Sequence, residues 1–143
     1  MHRFLEQTVA DHMTTAVKTV TRKVSMEQLE KRFDADDFNA YPVVEDGKML
    51  GLVTKFDFLK VFALQPSHMV PHYNDLMKQT VGDAMTKDFV CVHPATKLPH
   101  ALQLMVDHRV RSVPVTRGEK ELAGIISRQD IIKALWLYTG PTS

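Results

Sequence analysis

Val9-Ala10-Asp11-His12-Met13-Thr14 recurs as Val81-Gly82-Asp83-Ala84-Met85-Thr86, with Val, Asp, Met and Thr in register. Working outward, Tyr41-Pro42-Val43-Val44 falls over Val113-Pro114-Val115-Thr116. Gly51-Leu52-Val53-Thr54-Lys55-Phe56-Asp57 falls over Gly124-Ile125-Ile126-Ser127-Arg128-Gln129-Asp130. The separation is 72 residues at Met13/Met85 and Pro42/Pro114, and 73 at Asp57/Asp130. The added residue falls in 117–121, opposite 45–48, and insertions collect in turns. The chain therefore reads as two copies of one unit. They are expected at residues 8–62 and 81–138, joined by 63–80, where Pro66 and Pro71 interrupt any continuous helix.

Each copy reads as strand, helix, strand, strand, helix. Ala16–Val20 alternates apolar and polar residues, and Phe89-Val90-Cys91-Val92 is its apolar counterpart. Within that run Cys91 reads as a small buried hydrophobe. Ser25 with Gln28 has capping-box spacing, and Met26, Leu29 and Phe33 form one helical face; Leu98, Ala101, Leu102 and Met105 repeat it. The Pro-Val segments open hairpins that turn at Gly47 and Gly118. Final helices are expected over about 55–62 and 128–138, with a short one near Tyr73, Leu76 and Met77. The fold class is α/β of the α+β type. Neither copy of this length buries much core alone, so the two are expected to pack jointly with pseudo-two-fold symmetry, leaving equivalent clefts between them.

The 143 residues carry 18 Lys+Arg against 17 Asp+Glu, a net charge of +1. That balance gives no electrostatic pull toward nucleic acid or an anionic membrane. A single cysteine excludes an intrachain disulfide and any zinc site built on paired thiolates. The start, MHRFLEQTVADHM, lacks a basic stretch followed by an apolar core, and no apolar run is long enough to span a bilayer. The expectation is a soluble cytoplasmic protein. His68 and His72 are four apart, but Pro71 argues against a shared helix, and no metal is expected; the other histidines read as surface residues. No P-loop or Ser–His–acid pattern occurs, so no catalysis and no catalytic cofactor are expected.

The chemistry concentrates at Thr54-Lys55-Phe56-Asp57 and Ser127-Arg128-Gln129-Asp130. Each stands where a strand ends and a helix begins. Free backbone N–H groups at a helix start attract phosphate, a hydroxyl adds a hydrogen bond, and a carboxylate can accept both hydroxyls of a ribose diol. Gly51 and Gly124 leave room for close backbone approach. Lys55 and Arg128 sit just inside each helix and can offset phosphate charge, while Arg109 and Arg111 lie upstream of the second Pro-Val strand. The same Thr/Ser-x-x-Asp spacing also describes an ordinary helix cap that binds nothing. Both readings stay open at this level.

The order Val-x-Asp-x-Met-Thr, Val110-Arg111-Ser112-Val113-Pro114-Val115, then Gly124 to Asp130, with its first copy at Asn39 to Val44 and Gly51 to Asp57, resembles the CBS domain. The resemblance covers nearly the whole chain and implies a stand-alone tandem pair, a Bateman module. It implies an adenine nucleotide (AMP, ADP or ATP) between the repeats, with Asp57 and Asp130 on the ribose and Thr54, Lys55, Ser127, Arg128 and Arg111 toward phosphate. The base would lie against Thr19 or Cys91 and the Tyr41-Pro42 or Val113-Pro114 segment. Relatives often carry Arg before the motif Asp, where Phe56 and Gln129 stand here, so the two sites are expected to differ. The resemblance also implies a homodimer through Phe58, Leu59, Phe62, Ile132, Leu135 and Trp136, and a partner protein that reads ligand occupancy. The alternative is a ligand-free interaction or dimerisation module whose Thr/Ser-x-x-Asp segments are only caps.

Overall fold

The computed structural model describes residues 2–63 and 73–139. His68, His72, Pro66, Pro71 and the chain end beyond Thr139 lie outside the described residues. In chain order the elements are α1 (His2–Glu6), a 3-10 turn (Val9–Asp11), α2 (Met26–Ala35), β1 (Ala40–Glu45), β2 (Lys48–Thr54) and α3 (Lys55–Val61). After these come α4 (Tyr73–Met77), α5 (Val81–Ala84), α6 (Leu98–His108), β3 (Ser112–Arg117), β4 (Glu121–Ser127) and α7 (Arg128–Thr139). The fold is mixed, with helices accompanying antiparallel hairpins.

These elements form two compact units, and the units do not follow the linear repeats. One comprises Lys18–Phe89; the other joins Met1–Val17 to Val90–Ser143. The Val-x-Asp-x-Met-Thr segment at the head of each copy is thus built into the unit of the other copy. Thr14 exchanges backbone hydrogen bonds with Ile125 (2.9 Å each way), and Val9 N–H donates to Thr96 O at 2.8 Å. Thr86 does the same with Leu52 (2.8 and 2.9 Å), and Val81 N–H donates to Val24 O at 2.7 Å.

Glycine permits this exchange. A Cβ on Gly124 would stand 2.6 Å from the Thr14 carbonyl oxygen and 2.9 Å from Met13 Sδ; on Gly51 it would stand 2.8 Å from Thr86 O and 2.9 Å from Met85 Sδ. The room at these glycines, expected to admit a ligand, is taken by the exchanged Met-Thr pair.

The first unit, Lys18–Phe89, is organised by the β1–β2 hairpin. Asp46 (φ 54°) and Gly47 (φ 77°) make its two-residue turn, the Asp-Gly chemistry that a turn with two positive φ values favours. Ser25 caps α2 in a reciprocal box: Gln28 N–H donates to Ser25 Oγ at 3.2 Å and Ser25 N–H to Gln28 Oε1 at 3.0 Å. The core gathers Val20, Met26, Leu29, Val43, Val53 and Val81 around Tyr41.

In the second unit the β3–β4 hairpin turns through Gly118, Glu119 and Lys120, one residue more than its counterpart. This is the residue that changes the repeat spacing. α6 ends on Arg109 in the left-handed conformation (φ 54°), and its Leu98, Ala101 and Met105 face Val113, Val115 and Ile126. Phe4 and Val9 from the N-terminal segment complete this core.

Two expectations change. The leading strands contract to one bridging residue each, Val20 against Val43 and Val92 against Val115. Val20 accepts from Val44 N–H and donates to Pro42 O, and Val92 does likewise at Thr116 and Pro114. The proline that accepts the first of those contacts has no N–H to extend the ladder beyond it. Cys91 is exposed rather than buried, because Val92 is the residue that turns into the core.

Candidate functional site

At the open end of each hairpin the second strand runs directly into a helix. In the first unit Ala40 pairs with Thr54, and Lys55 N–H donates to Asn39 O at 2.9 Å. In the second, Ser112 pairs with Ser127, and Arg128 N–H donates to Arg111 O at 2.8 Å. These pairings bring Tyr41, Pro42, Thr54, Lys55 and Asp57 together in one unit, and Arg111, Val113, Pro114, Ser127, Arg128 and Asp130 in the other. Thr19 and Cys91 each precede the bridging valine that bonds to Pro42 O or Pro114 O, so they stand beside the proline of their unit.

Both Thr/Ser-x-x-Asp segments form reciprocal caps. Asp57 N–H donates to Thr54 Oγ1 at 3.0 Å, and Thr54 N–H to Asp57 Oδ2 at 2.9 Å. Asp130 N–H donates to Ser127 Oγ at 3.2 Å, and Ser127 N–H to Asp130 Oδ2 at 2.8 Å. Thr8–Asp11 and Thr80–Asp83 keep the spacing at the heads of the exchanged segments, but there the carboxylate takes both the Thr N–H and the Thr hydroxyl, and the Asp N–H donates to the Thr carbonyl.

Beyond the caps the two units differ. Asp57 is 2% exposed. Thr86 Oγ1 donates to its Oδ1 (3.0 Å) and Oδ2 (3.2 Å), and Lys60 Nζ lies 3.0 Å from Oδ1. Asp130 is half-buried, and only its Oδ2 is engaged, by Ser127 N–H and, at 3.0 Å, by Ser127 Oγ. Among the described residues Asp130 Oδ1 receives no donor. Thr14 and Lys133, which occupy the places of Thr86 and Lys60, do not reach it. Thr86 and Lys60 are not among the site residues expected from the sequence, although the Met-Thr repeat and the Lys at Asp+3 in both copies are visible there.

The remaining side chains are placed as follows. Tyr41 is fully buried: its hydroxyl donates to Arg32 O (2.9 Å) and Asp36 Oδ2 (2.7 Å), and its ring lies 5.1 Å from Phe33 and 5.8 Å from Phe38. Burial, followed by the Asp36 contact, pushes this phenol above its ordinary range. Asp36 is held below the usual carboxylate range by Lys18 Nζ at 2.6 Å and then by Tyr41. Pro42, Val113 and Pro114 are buried, Thr19 is half-buried, and Lys55, Arg111 and Arg128 are exposed. Among the described residues neither arginine has a carboxylate partner.

A polar depression of about 330 Å³ borders the Asp57 cap, lined by Asp57, Lys60, Val61, Gln79, Asp83 and Ala84. Its two carboxylates face one ammonium, a poor balance for an anion. Among the described residues no group of three or more His, Cys, Asp or Glu could hold a metal ion, and no helix is long and apolar enough to cross a membrane.

The family model for the CBS domain matches residues 9–64 and again 81–137. The chain belongs to the CBS domain family, as a tandem pair. Homoserine O-acetyltransferase of Methanococcoides burtonii is 31% identical over 133 residues, which make up 92% of this chain and 25% of that protein. The CBS chain therefore spans about a quarter of that curated relative. Among solved structures, CBSX2 in complex with AMP superposes with a TM-score of 0.78 at 24% identity, covering 92% of this chain and 98% of that one. The CBS domain pair of MJ0100, in complex with 5′-methylthioadenosine and S-adenosyl-L-methionine, gives 0.73 at 24% identity, covering 94% and 97%.

Proposed function

We propose that this CBS pair is a non-catalytic, cytoplasmic regulatory module that binds an adenine nucleotide of the AMP, ADP or ATP class and signals its occupancy to a partner protein. The ligand is held where a hairpin strand enters a helix, with a carboxylate on the ribose and helix N–H groups and cations toward phosphate. The observation that carries this reading is the Ser127–Asp130 turn, which joins a hydroxyl, a carboxylate oxygen with no donor among the described residues, and Arg111 and Arg128, which have no carboxylate partner among them. Two relatives of the same fold, crystallised with AMP and with methylthioadenosine and S-adenosylmethionine, support an adenosyl ligand. The arginines favour the phosphorylated members of that class.

The test is thermal denaturation of the chain against AMP, ADP, ATP, NAD and S-adenosylmethionine. A ligand at one hundred times its Kd stabilises by about 2.7 kcal/mol, a shift of several degrees in Tm. An unchanged Tm throughout the panel at millimolar ligand would remove the reading.

A second reading, dimerisation, is favoured by apolar side chains left in solvent: Phe56 (68%) and Leu59 on α3, and Ile132, Trp136 (77%) and Leu137 on α7. Large exposed aromatic and aliphatic side chains grouped on short helices mark association surfaces. We propose a homodimer through these helices. Light scattering should give twice the chain mass, and Trp136→Ala with Leu59→Ala should shift the population to monomer.

A further inference from the structure

We infer that the two equivalent turns have parted in role: the Asp130 turn takes one adenine nucleotide per chain, and the Asp57 turn is a closed structural latch. This rests on the nucleotide-binding reading above and adds to it the position and number of ligands. A ribose diol needs an acceptor oxygen that no protein donor already holds. Asp57 has none to give: Oδ2 takes Thr54 N–H and the Thr86 hydroxyl, while Oδ1 takes the same hydroxyl and the Lys60 ammonium.

With 2% of Asp57 exposed, a ligand would have to displace Thr86, whose backbone is itself pinned to Leu52 in both directions. Breaking a buried, charge-assisted network to make an equivalent one returns no net gain. The latch ties α3, the hairpin and the exchanged 80–86 segment together, which is a structural task.

In the other unit the corresponding residues are present but disengaged. Thr14 is exposed and, with Lys133, leaves Asp130 Oδ1 open, while Arg111 and Arg128 are joined by backbone at 2.8 Å and have no carboxylate partner, all among the described residues. Asp37 and Asn39 stand in the first repeat where Arg109 and Arg111 stand in the second. Beside Lys55 the first turn thus has the amide Asn39 where the second has Arg111 beside Arg128, so the second carries the greater positive charge for a phosphate tail.

Isothermal titration of the full chain with ATP, and separately with AMP, tests this. One equivalent per chain is expected. Asp130→Asn should weaken binding at least about tenfold, the loss of one charge-assisted acceptor. Asp57→Asn should lower the Tm of the free protein yet leave the single equivalent and its affinity within about threefold. Should Asp57→Asn fail to fold, Lys60→Gln loosens the same latch from its half-exposed end and carries the same expectation. Two equivalents per wild-type chain, or a loss on Asp57→Asn or Lys60→Gln as large as that on Asp130→Asn, overturns the asymmetry and leaves nucleotide binding standing. Absence of heat with both nucleotides removes both claims.

Discussion

Gly124→Ala probes the exchanged packing most directly. The added Cβ would meet the Thr14 carbonyl oxygen at 2.6 Å, whereas carbon and carbonyl oxygen ordinarily approach to roughly 3.3 Å. The obstacle is backbone, and that backbone is held by hydrogen bonds to Ile125 in both directions, each 2.9 Å. Relief requires Thr14 to withdraw and both bonds to lengthen. Overpacking of this kind costs about 1–3 kcal/mol, and weakening two backbone hydrogen bonds adds about 1 kcal/mol. A chain of this size loses roughly 2–5 °C of Tm per kcal/mol, so a fall of about 4–20 °C is expected.

Calorimetry measures the loss, and hydrogen exchange at the Thr14 and Ile125 amides locates it. Met13→Ala on the same background removes the Sδ contact at 2.9 Å and the Cγ contact at 3.3 Å but not the carbonyl, and should not restore stability. Gly82→Ala is the control: its nearest neighbour is the Arg22 Cβ at 3.2 Å, Ala10 already stands at the matching position, and helix propensity gains up to about 1 kcal/mol. Unchanged Tm and amide protection in Gly124→Ala would refute the argument that the Met-Thr segment demands glycine.

Asp57→Ala should destabilise by about 2–4 kcal/mol in urea denaturation, losing a cap and the buried Thr86 bond, against about 1 kcal/mol for Asp130→Ala, which loses a cap alone. Tyr41→Phe removes the hydroxyl from Arg32 O and Asp36 and should cost about 1–2 kcal/mol, with m unchanged. Asp36 and Glu45 have folded pKa values lowered by Lys18 and Arg22, from ordinary values of 3.8 and 4.5. Their contribution to stability is therefore complete above those values and is lost as pH falls through the lowered ones, so Asp36→Asn should flatten the acid limb of the stability curve below about pH 4. Cys91 is exposed and should react with a thiol reagent stoichiometrically in the native protein without a change in circular dichroism.

Much of the fold was legible because local physics set it. Ser25 with Gln28 announced the start of α2, Gly47 announced a hairpin turn, and the shift in repeat spacing marked the longer turn at Gly118–Lys120. What the periodicity could not convey was the partner of each segment. A repeat states that Val9–Thr14 and Val81–Thr86 are alike, and says nothing about which hairpin each one meets. For the same reason Gly51 and Gly124 read as space for a ligand when a methionine and a carbonyl fill that space. At the site, identical spacing at Asp57 and Asp130 concealed different surroundings, since Thr86 comes from 29 residues away and closes on one carboxylate only. The exposure of Cys91 depended on whether it or the bridging Val92 turned inward, a detail alternation does not fix once a strand shortens to one residue.

The crossing-over of the Val-x-Asp-x-Met-Thr segments makes the gene divisible only in an unexpected place. A fragment cut in the 63–80 connection would lack the stretch that fills its own glycine notch and would carry one meant for its sibling. Such halves should be poorly folded when expressed singly and should recover structure on mixing, each lending the other its first dozen residues.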